Sequence, residues 1–175
     1  MYKFLITTLG LLMLNTAVFA QPGRCPKIPE KYVWASEADY KKDEDVVKKT
    51  LKWLCQTPFG IDVEQRGLAN AYVLGWLAGS PSIRLEINTT HIPFAESAPD
   101  LFFSFIHGMA LYKMEHPTAT DELILYNNGF TVVAELASQS KEYSKQKELK
   151  DLLKAYKRGK VKDYTRAVLN TNEKI

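Results

Sequence analysis

Two apolar stretches constrain the fold of this chain more than any other feature of its sequence. The runs Gly67–Gly79 and Leu101–Met114 are 13 and 14 residues long. A membrane-spanning helix needs roughly 18 or more apolar residues, so neither run reaches that length. Both are typical of helices buried in a water-soluble domain. The first run is apolar almost all round, and we expect it to be central in the fold.

Helical periodicity extends through most of the chain. Apolar residues recur at the spacing of an α-helix in six segments. These segments are about 43–56, 62–78, 101–115, 120–138, 143–158 and 161–169. Residues that end helices separate them, namely Thr57–Gly60, Gly79–Pro81, Pro117 and Gly159. The predicted fold class is mostly α, a compact bundle of five or six helices with one short β-strand.

The strand prediction depends on the segment Ser82–Thr89. Apolar residues alternate there with polar ones, so that one face carries Ile83, Leu85 and Ile87 and the other carries Arg84 and Glu86. A single strand cannot form a sheet. The segment is therefore expected either to pair with another extended segment or to lie over the helices.

The first 20 residues resemble a cleavable signal peptide. Lys3 supplies positive charge, Phe4–Leu14 is a short apolar run, and Val18–Ala20 carries compact residues where a signal peptidase cuts. We expect an exported protein, periplasmic or secreted, with no transmembrane span after cleavage; an uncleaved signal acting as an anchor is the alternative. The predicted organisation is a signal peptide at 1–20, an extended Pro-rich leader at 21–35 and one helical domain at 36–175.

Two cysteines remain in the predicted mature chain. In an oxidising compartment, Cys25 and Cys55 are most simply a disulfide. It would close a loop that stabilises the fold by about 3–4 kcal/mol in the chain-entropy model. The alternative is two free buried thiols. A catalytic thiol is not favoured, because neither cysteine lies in a Cys-x-x-Cys pattern.

Catalytic and cofactor motifs are absent from the sequence. The three histidines, His91, His107 and His116, have no metal-ligand spacing, and no phosphate-binding or nucleophile-elbow pattern occurs. We therefore predict no metal, no cofactor and no catalytic residue. If a cleft exists, His107 is its best candidate, with Tyr72 and Trp76 nearby; the alternative is a histidine packed in the core.

Charge is distributed unevenly along the chain. Residues 21–140 hold 11 basic and 15 acidic side chains, whereas residues 141–175 hold 11 basic and 5 acidic ones. Five basic residues share one face of the predicted fifth helix, which are Lys147, Lys150, Lys154, Lys157 and Arg158. Such a face is suited to an acidic partner protein or to anionic lipid head groups. An ordinary solvated helix face is the alternative, and export argues against nucleic acid.

Three further stretches carry a family resemblance. Trp53–Pro58, Asn70–Pro81 and Pro99–Phe102 are similar to a family of small exported bacterial proteins, and the similarity extends over about residues 50–165. The resemblance implies a periplasmic location and a compact helical domain. That family has no assigned activity, so it implies no functional residues.

Two classes of function are consistent with these patterns. The first is a non-catalytic envelope protein that binds another protein, which the charge asymmetry favours. The second is a small-ligand-binding protein or hydrolase with a cleft near His107. Docking of the basic face on an anionic membrane surface is a weaker third hypothesis.

Overall fold

Residues 23–171 are described by the computed structural model, and they form six α-helices and three 3₁₀ turns. The α-helices are α1 (Glu37–Gln56), α2 (Val63–Gly79), α3 (Pro99–Glu115), α4 (Glu122–Ser138), α5 (Lys150–Lys157) and α6 (Val161–Thr171). The 3₁₀ turns cover Thr89–His91, Tyr143–Lys145 and Lys147–Leu149. The mostly α fold class is confirmed. The predicted signal peptide lies outside the described residues.

Helix α1 begins six residues before its predicted start, because a capping box fixes its first turn. The Ser36 hydroxyl accepts a hydrogen bond from the Asp39 amide at 3.4 Å, and the Asp39 carboxylate accepts one from the Ser36 amide at 2.9 Å. The residues of this added turn are mainly polar or exposed, so they add no apolar periodicity. Sequence periodicity therefore missed the turn, although the capping pattern was present.

The predicted β-strand is wrong. Residues 82–88 contain no strand, and no other extended segment within 23–171 pairs with them. The alternation has another cause: Ile83 is buried against α1 and α2, and Leu85 and Ile87 also pack on the apolar clusters, whereas Arg84 is exposed. The segment lies over the helices, and the Asn88 amide donates a hydrogen bond to the Tyr126 hydroxyl at 2.7 Å.

Two apolar clusters make up the core, and α3 contributes to both. One cluster joins α3, α4, α5 and α6, and it includes Leu101, Phe105 and Met109 of α3. The other surrounds α1 and α2, and it includes Ala110 and Met114 of α3. Consequently α3 has little solvent-facing surface, which explains why its sequence is apolar on most sides.

The closest helix contact, between α3 and α4, depends on glycine. A Cβ atom placed on Gly108 would lie 2.7 Å from the Asn128 carbonyl oxygen and 3.0 Å from the Gly129 Cα atom. A Cβ atom on Gly129 would lie 2.6 Å from the Phe105 ring. The two backbones therefore approach too closely for any side chain at the crossing.

Helix α2 lies at the edge of the domain, so its predicted central position is wrong. Val63 and Leu68 are 67% and 56% exposed. The glycines of α2 give another reason for its apolar sequence, because they make room for aromatic side chains. A Cβ atom on Gly75 would lie 3.3 Å from the Trp34 ring, and one on Gly79 would lie 1.9 Å from the Tyr40 hydroxyl. This face of α2 therefore accommodates aromatic side chains of the leader and α1, rather than a second helix backbone.

The predicted fifth helix is shorter than expected. Two 3₁₀ turns, Tyr143–Lys145 and Lys147–Leu149, replace its first half, and α5 begins at Lys150. Leu149 and Leu152 have no exposed surface and anchor this segment on the cluster that includes α4. The change of helix type rotates the segment relative to a continuous α-helix, and this determines where its lysines point.

Candidate functional sites

The predicted basic residues line one groove. It has a volume of about 620 Å³ and lies between α5, the 3₁₀ turns and the end of α4. The cations that line it are Lys145, Lys147, Lys150, Lys154, Lys157 and Arg158. The structure therefore brings together all five residues selected from the sequence, and it adds Lys145. Sequence reasoning missed Lys145 because a continuous α-helix would direct it elsewhere.

Leu153 gives the groove an apolar component beneath the cations. It lines the groove and is 7% exposed, because most of its side chain packs in the core. The remaining lining residues are Ser138, Ser144 and Gln146. The hydroxyl groups of the two serines donate to backbone carbonyls, whereas the Gln146 side-chain oxygen is buried and has no hydrogen-bond partner within 23–171.

The positive charge of the groove is not neutralised inside it. None of the described lining residues is acidic. The ion pairs found within residues 23–171 join Lys49 to Asp45 and Arg166 to Asp163, and neither includes a cation of the groove. A concave surface with one sign of charge concentrates its potential, so it attracts anionic groups and does so less at high salt.

The three residues predicted to surround a cleft are buried instead. Tyr72 and Trp76 have no exposed surface, and His107 is 1% exposed. Trp76 donates from its indole nitrogen to the Tyr40 carbonyl oxygen at 3.0 Å, and the Tyr72 ring packs 5.6 Å from the Trp34 ring. Tyr72 and Trp76 therefore hold the leader and α1 on α2, and none of the three residues lines any of five surface cavities formed by residues 23–171.

His107 is an unpaired histidine in the core. Neither of its ring nitrogens has a hydrogen-bond partner within the described chain. Burial, and secondarily the positive charge of Arg66, lower the pKa of His107 to about 3. The imidazole is therefore neutral at neutral pH. A general base requires access to substrate, which this position does not provide.

The other two histidines occupy helix ends. His116 follows α3; its ring nitrogen Nδ1 lies 3.1 Å from the Tyr112 carbonyl oxygen, and its ring stacks on that of Tyr112. His91 ends a 3₁₀ turn, and its ring packs edge-on against Tyr126. His116 thus interacts with the C-terminal turn of α3, as its position in the sequence indicates.

A second cavity, of about 440 Å³, lies between the α1–α2 connection, the start of α3 and the first 3₁₀ turn after α4. Its lining includes Phe59, Arg66, Asn70, Asp100 and Tyr143. The Tyr143 hydroxyl donates to the Asp100 carboxylate at 3.1 Å, and burial, followed by the negative charge of Asp100, raises the pKa of Tyr143 to about 12. No sequence signal selected these residues, because they come from four separate segments.

Both cysteines are free thiols in the structure. Cys25 is half-buried on the leader, and its sulfur accepts a hydrogen bond from the Gln65 side chain at 3.6 Å. Cys55 is buried at the end of α1, and burial raises the pKa of its thiol to about 12. The predicted disulfide is therefore not formed in this structure. The leader still contacts α1 nearby, since the Trp53 indole donates to the Gly23 carbonyl oxygen at 2.7 Å.

Within residues 23–171, no helix is both long enough and apolar enough to cross a membrane, and no cluster of histidine, cysteine and acidic side chains could hold a metal ion. No protein-family model, curated protein or solved structure matches the sequence.

Proposed function

We propose that this chain is an exported, non-catalytic protein that binds an acidic surface of a partner protein through the groove at α5. The observation that carries the proposal is the lining of that groove, which combines six cations with no acidic side chain. The unpaired cations would be matched by carboxylates of the partner, and Leu153 would contact an apolar atom between them. The predicted signal peptide supports an envelope location, periplasmic or secreted.

The shape of the groove favours a protein over a membrane surface. A concave site with a volume of about 620 Å³ admits a protruding acidic segment, whereas a bilayer surface would contact its rim alone. Electrostatic complementarity of this kind increases the association rate and selects the partner. Binding is therefore expected to weaken as salt rises, because exposed charges are screened.

The hydrolase alternative is not favoured by the geometry. It required an open cleft at His107, and that side chain is 1% exposed and so lies in the interior of the helical domain. A general base must reach a substrate proton, directly or through one water molecule. His107 does not meet that requirement.

A charge-reversal experiment tests the proposal. The variant Lys150→Glu/Lys154→Glu/Lys157→Glu reverses three cations of the groove. Its matched control, reversing Lys41, Lys42 and Lys52, makes the same change of net charge on exposed positions of α1. The probe is a fluorescent glutamate-rich peptide, and its binding is measured by anisotropy at low and high salt.

We expect the groove variant to bind the peptide at least about tenfold more weakly than wild type, and the control to lose much less. Equal loss in both variants would show a non-specific charge effect and would contradict the proposal. Capture from an envelope extract with wild type and both variants then identifies the partner, which must be lost from the groove variant alone. Stronger binding to phosphatidylglycerol vesicles than to the peptide would favour the membrane alternative instead.

A disulfide between Cys25 and Cys55 belongs to the same proposal for the exported, oxidised protein. The Trp53–Gly23 hydrogen bond supports it, because each of these residues is two positions from one cysteine. Mass spectrometry of a non-reduced digest tests it. Recovery of both cysteines as free thiols from protein purified out of the envelope would contradict it.

A further inference from the structure

Arg66 is a buried cation with no ion-pair partner among residues 23–171. The residue is 8% exposed, and its Nη2 atom donates to the backbone carbonyls of Leu54, at 3.3 Å, and Thr57. Its Nε atom is buried and has no hydrogen-bond partner within residues 23–171, and no carboxylate of that range lies within 4.0 Å of the guanidinium. Carbonyl oxygens carry partial charge alone, so the positive charge of Arg66 is incompletely balanced.

This cation forms part of the wall of the second cavity. The guanidinium carbon lies over the face of the Phe59 ring, 5.0 Å from the ring centre, which is a cation–π contact. Phe59 in turn packs edge-on against Tyr143, with ring centres 4.9 Å apart. The aromatic pair therefore fixes Arg66 and the opposite wall of the cavity relative to each other.

Two other lining residues of the cavity carry the opposite charge. Asp100 and Glu142 also line the cavity, both are exposed, and Asp100 is held by the Tyr143 hydroxyl at 3.1 Å. Asn70 also lines the cavity, and its side-chain oxygen is buried and unpaired within the described chain. Buried polar atoms are nearly always hydrogen-bonded, so the unpaired atoms of Arg66 and Asn70 support a polar ligand at this cavity.

We propose that this cavity binds a small zwitterion, with a carboxylate directed to Arg66 and an ammonium group directed to Asp100 and Glu142, as in a free amino acid. A simple carboxylate would be repelled by the two acidic side chains, and a simple amine would be repelled by Arg66. The cavity volume of about 440 Å³ falls in the range of small-molecule sites. Phe59 and Val63 provide an apolar wall suited to an aliphatic side chain.

Ligand analogues test the charge requirement. The probes are L-leucine, leucinamide, which lacks the carboxylate, and 4-methylpentanoate, which lacks the ammonium group. Each is titrated into the mature chain and followed by amide chemical shifts. We expect saturable shifts at residues around Phe59 and Asp100 with L-leucine, and binding at least about tenfold weaker with either analogue, since each loses one charge-assisted contact. Equal affinities for all three, or no saturable shift with leucine, would overturn the proposal.

Substitutions locate the site. Asp100→Asn removes one charge at an exposed position and retains an acceptor for Tyr143, so folding is expected to be unaffected. Asp151→Asn, at an exposed position of α5, is the matched control. We expect Asp100→Asn to weaken leucine binding at least about tenfold and the control to leave it unchanged. Unchanged binding in Asp100→Asn, with the leucine shifts still present, would place the ligand elsewhere and refute the assignment.

Discussion

Acid is expected to destabilise this protein through His107. The side chain is 1% exposed, its ring nitrogens are unpaired within the described residues, and its pKa is lowered to about 3 by burial and by Arg66. In the unfolded chain a histidine has a pKa of about 6.5. Between these two values the unfolded state binds one more proton than the folded state, so the free energy of unfolding decreases as pH falls.

The magnitude follows from the two pKa values. Above about pH 6.5 the imidazole is neutral in both the folded and the unfolded state, so its protonation costs no stability. Below that value the free energy of unfolding decreases by about 1.4 kcal/mol for each pH unit. Between pH 7 and pH 4.5 the loss amounts to about 2–3 kcal/mol. Such a loss is a large part of the stability of a single domain, which is typically about 5–15 kcal/mol.

The variant His107→Leu removes the titrating group and keeps a similar volume. It is expected to lose this dependence on pH, and to be more stable than wild type at pH 7 by about 1 kcal/mol, because no unpaired polar atoms remain at the position. The measurement is urea unfolding, followed by tryptophan fluorescence, at several pH values between 7 and 4.5. The quantity of interest is the difference between wild type and variant, in which the effects of carboxylates cancel.

Two outcomes of this measurement test whether the His107 imidazole is neutral in the folded state. A difference that grows in favour of the leucine variant as pH falls supports a neutral, buried imidazole. A difference that is constant with pH would show that His107 binds its proton equally in both states, and the argument from burial would then fail.

Two further predictions concern packing and thiol chemistry. Gly108→Ala is expected to destabilise the protein by about 1–3 kcal/mol, because its Cβ atom would lie 2.7 Å from the Asn128 carbonyl oxygen. Gly67→Ala is expected to stabilise α2 by about 0.5–1 kcal/mol, because no heavy atom lies within 4 Å of its Cβ position. Thermal unfolding measures both, and equal shifts of the two variants would refute the packing argument. In the reduced protein, iodoacetamide should modify Cys25 at least about tenfold faster than Cys55, since Cys55 is buried and its raised pKa of about 12 leaves little thiolate. Mass spectrometry of timed samples measures the two rates, and similar rates would show that α1 does not protect Cys55.

The sequence predicted those parts of the fold that depend on local patterns. Helices were located because apolar spacing and the residues that end helices are local signals, and the capping box at Ser36 was missed although it is equally local. The position of α2 was not predictable in this way. Gly75 and Gly79 contribute small apolar positions, and a pattern of residue types does not distinguish contact with a helix from contact with Trp34 and Tyr40.

The two candidate sites also differ in how far local sequence patterns predict them. The groove was predicted because its lysines are close in sequence and share a spacing. The cavity at Arg66 was not, because a single arginine in the first turns of an apolar helix gives no pattern, and Asp100 and Tyr143 are distant in the chain. Its identification required the observation that a buried cation has no ion-pair partner within residues 23–171.

The division of the core between two clusters has a consequence for how the domain opens. Because α3 contributes to both clusters, it is held on either side, whereas α2 and the leader belong to one cluster alone. Partial unfolding that releases α2 with the leader would leave the contacts of α3, α4, α5 and α6 in place. We therefore expect two levels of cooperativity in unfolding, with the Arg66 cavity lying between α2 and the part of the domain that contains α3.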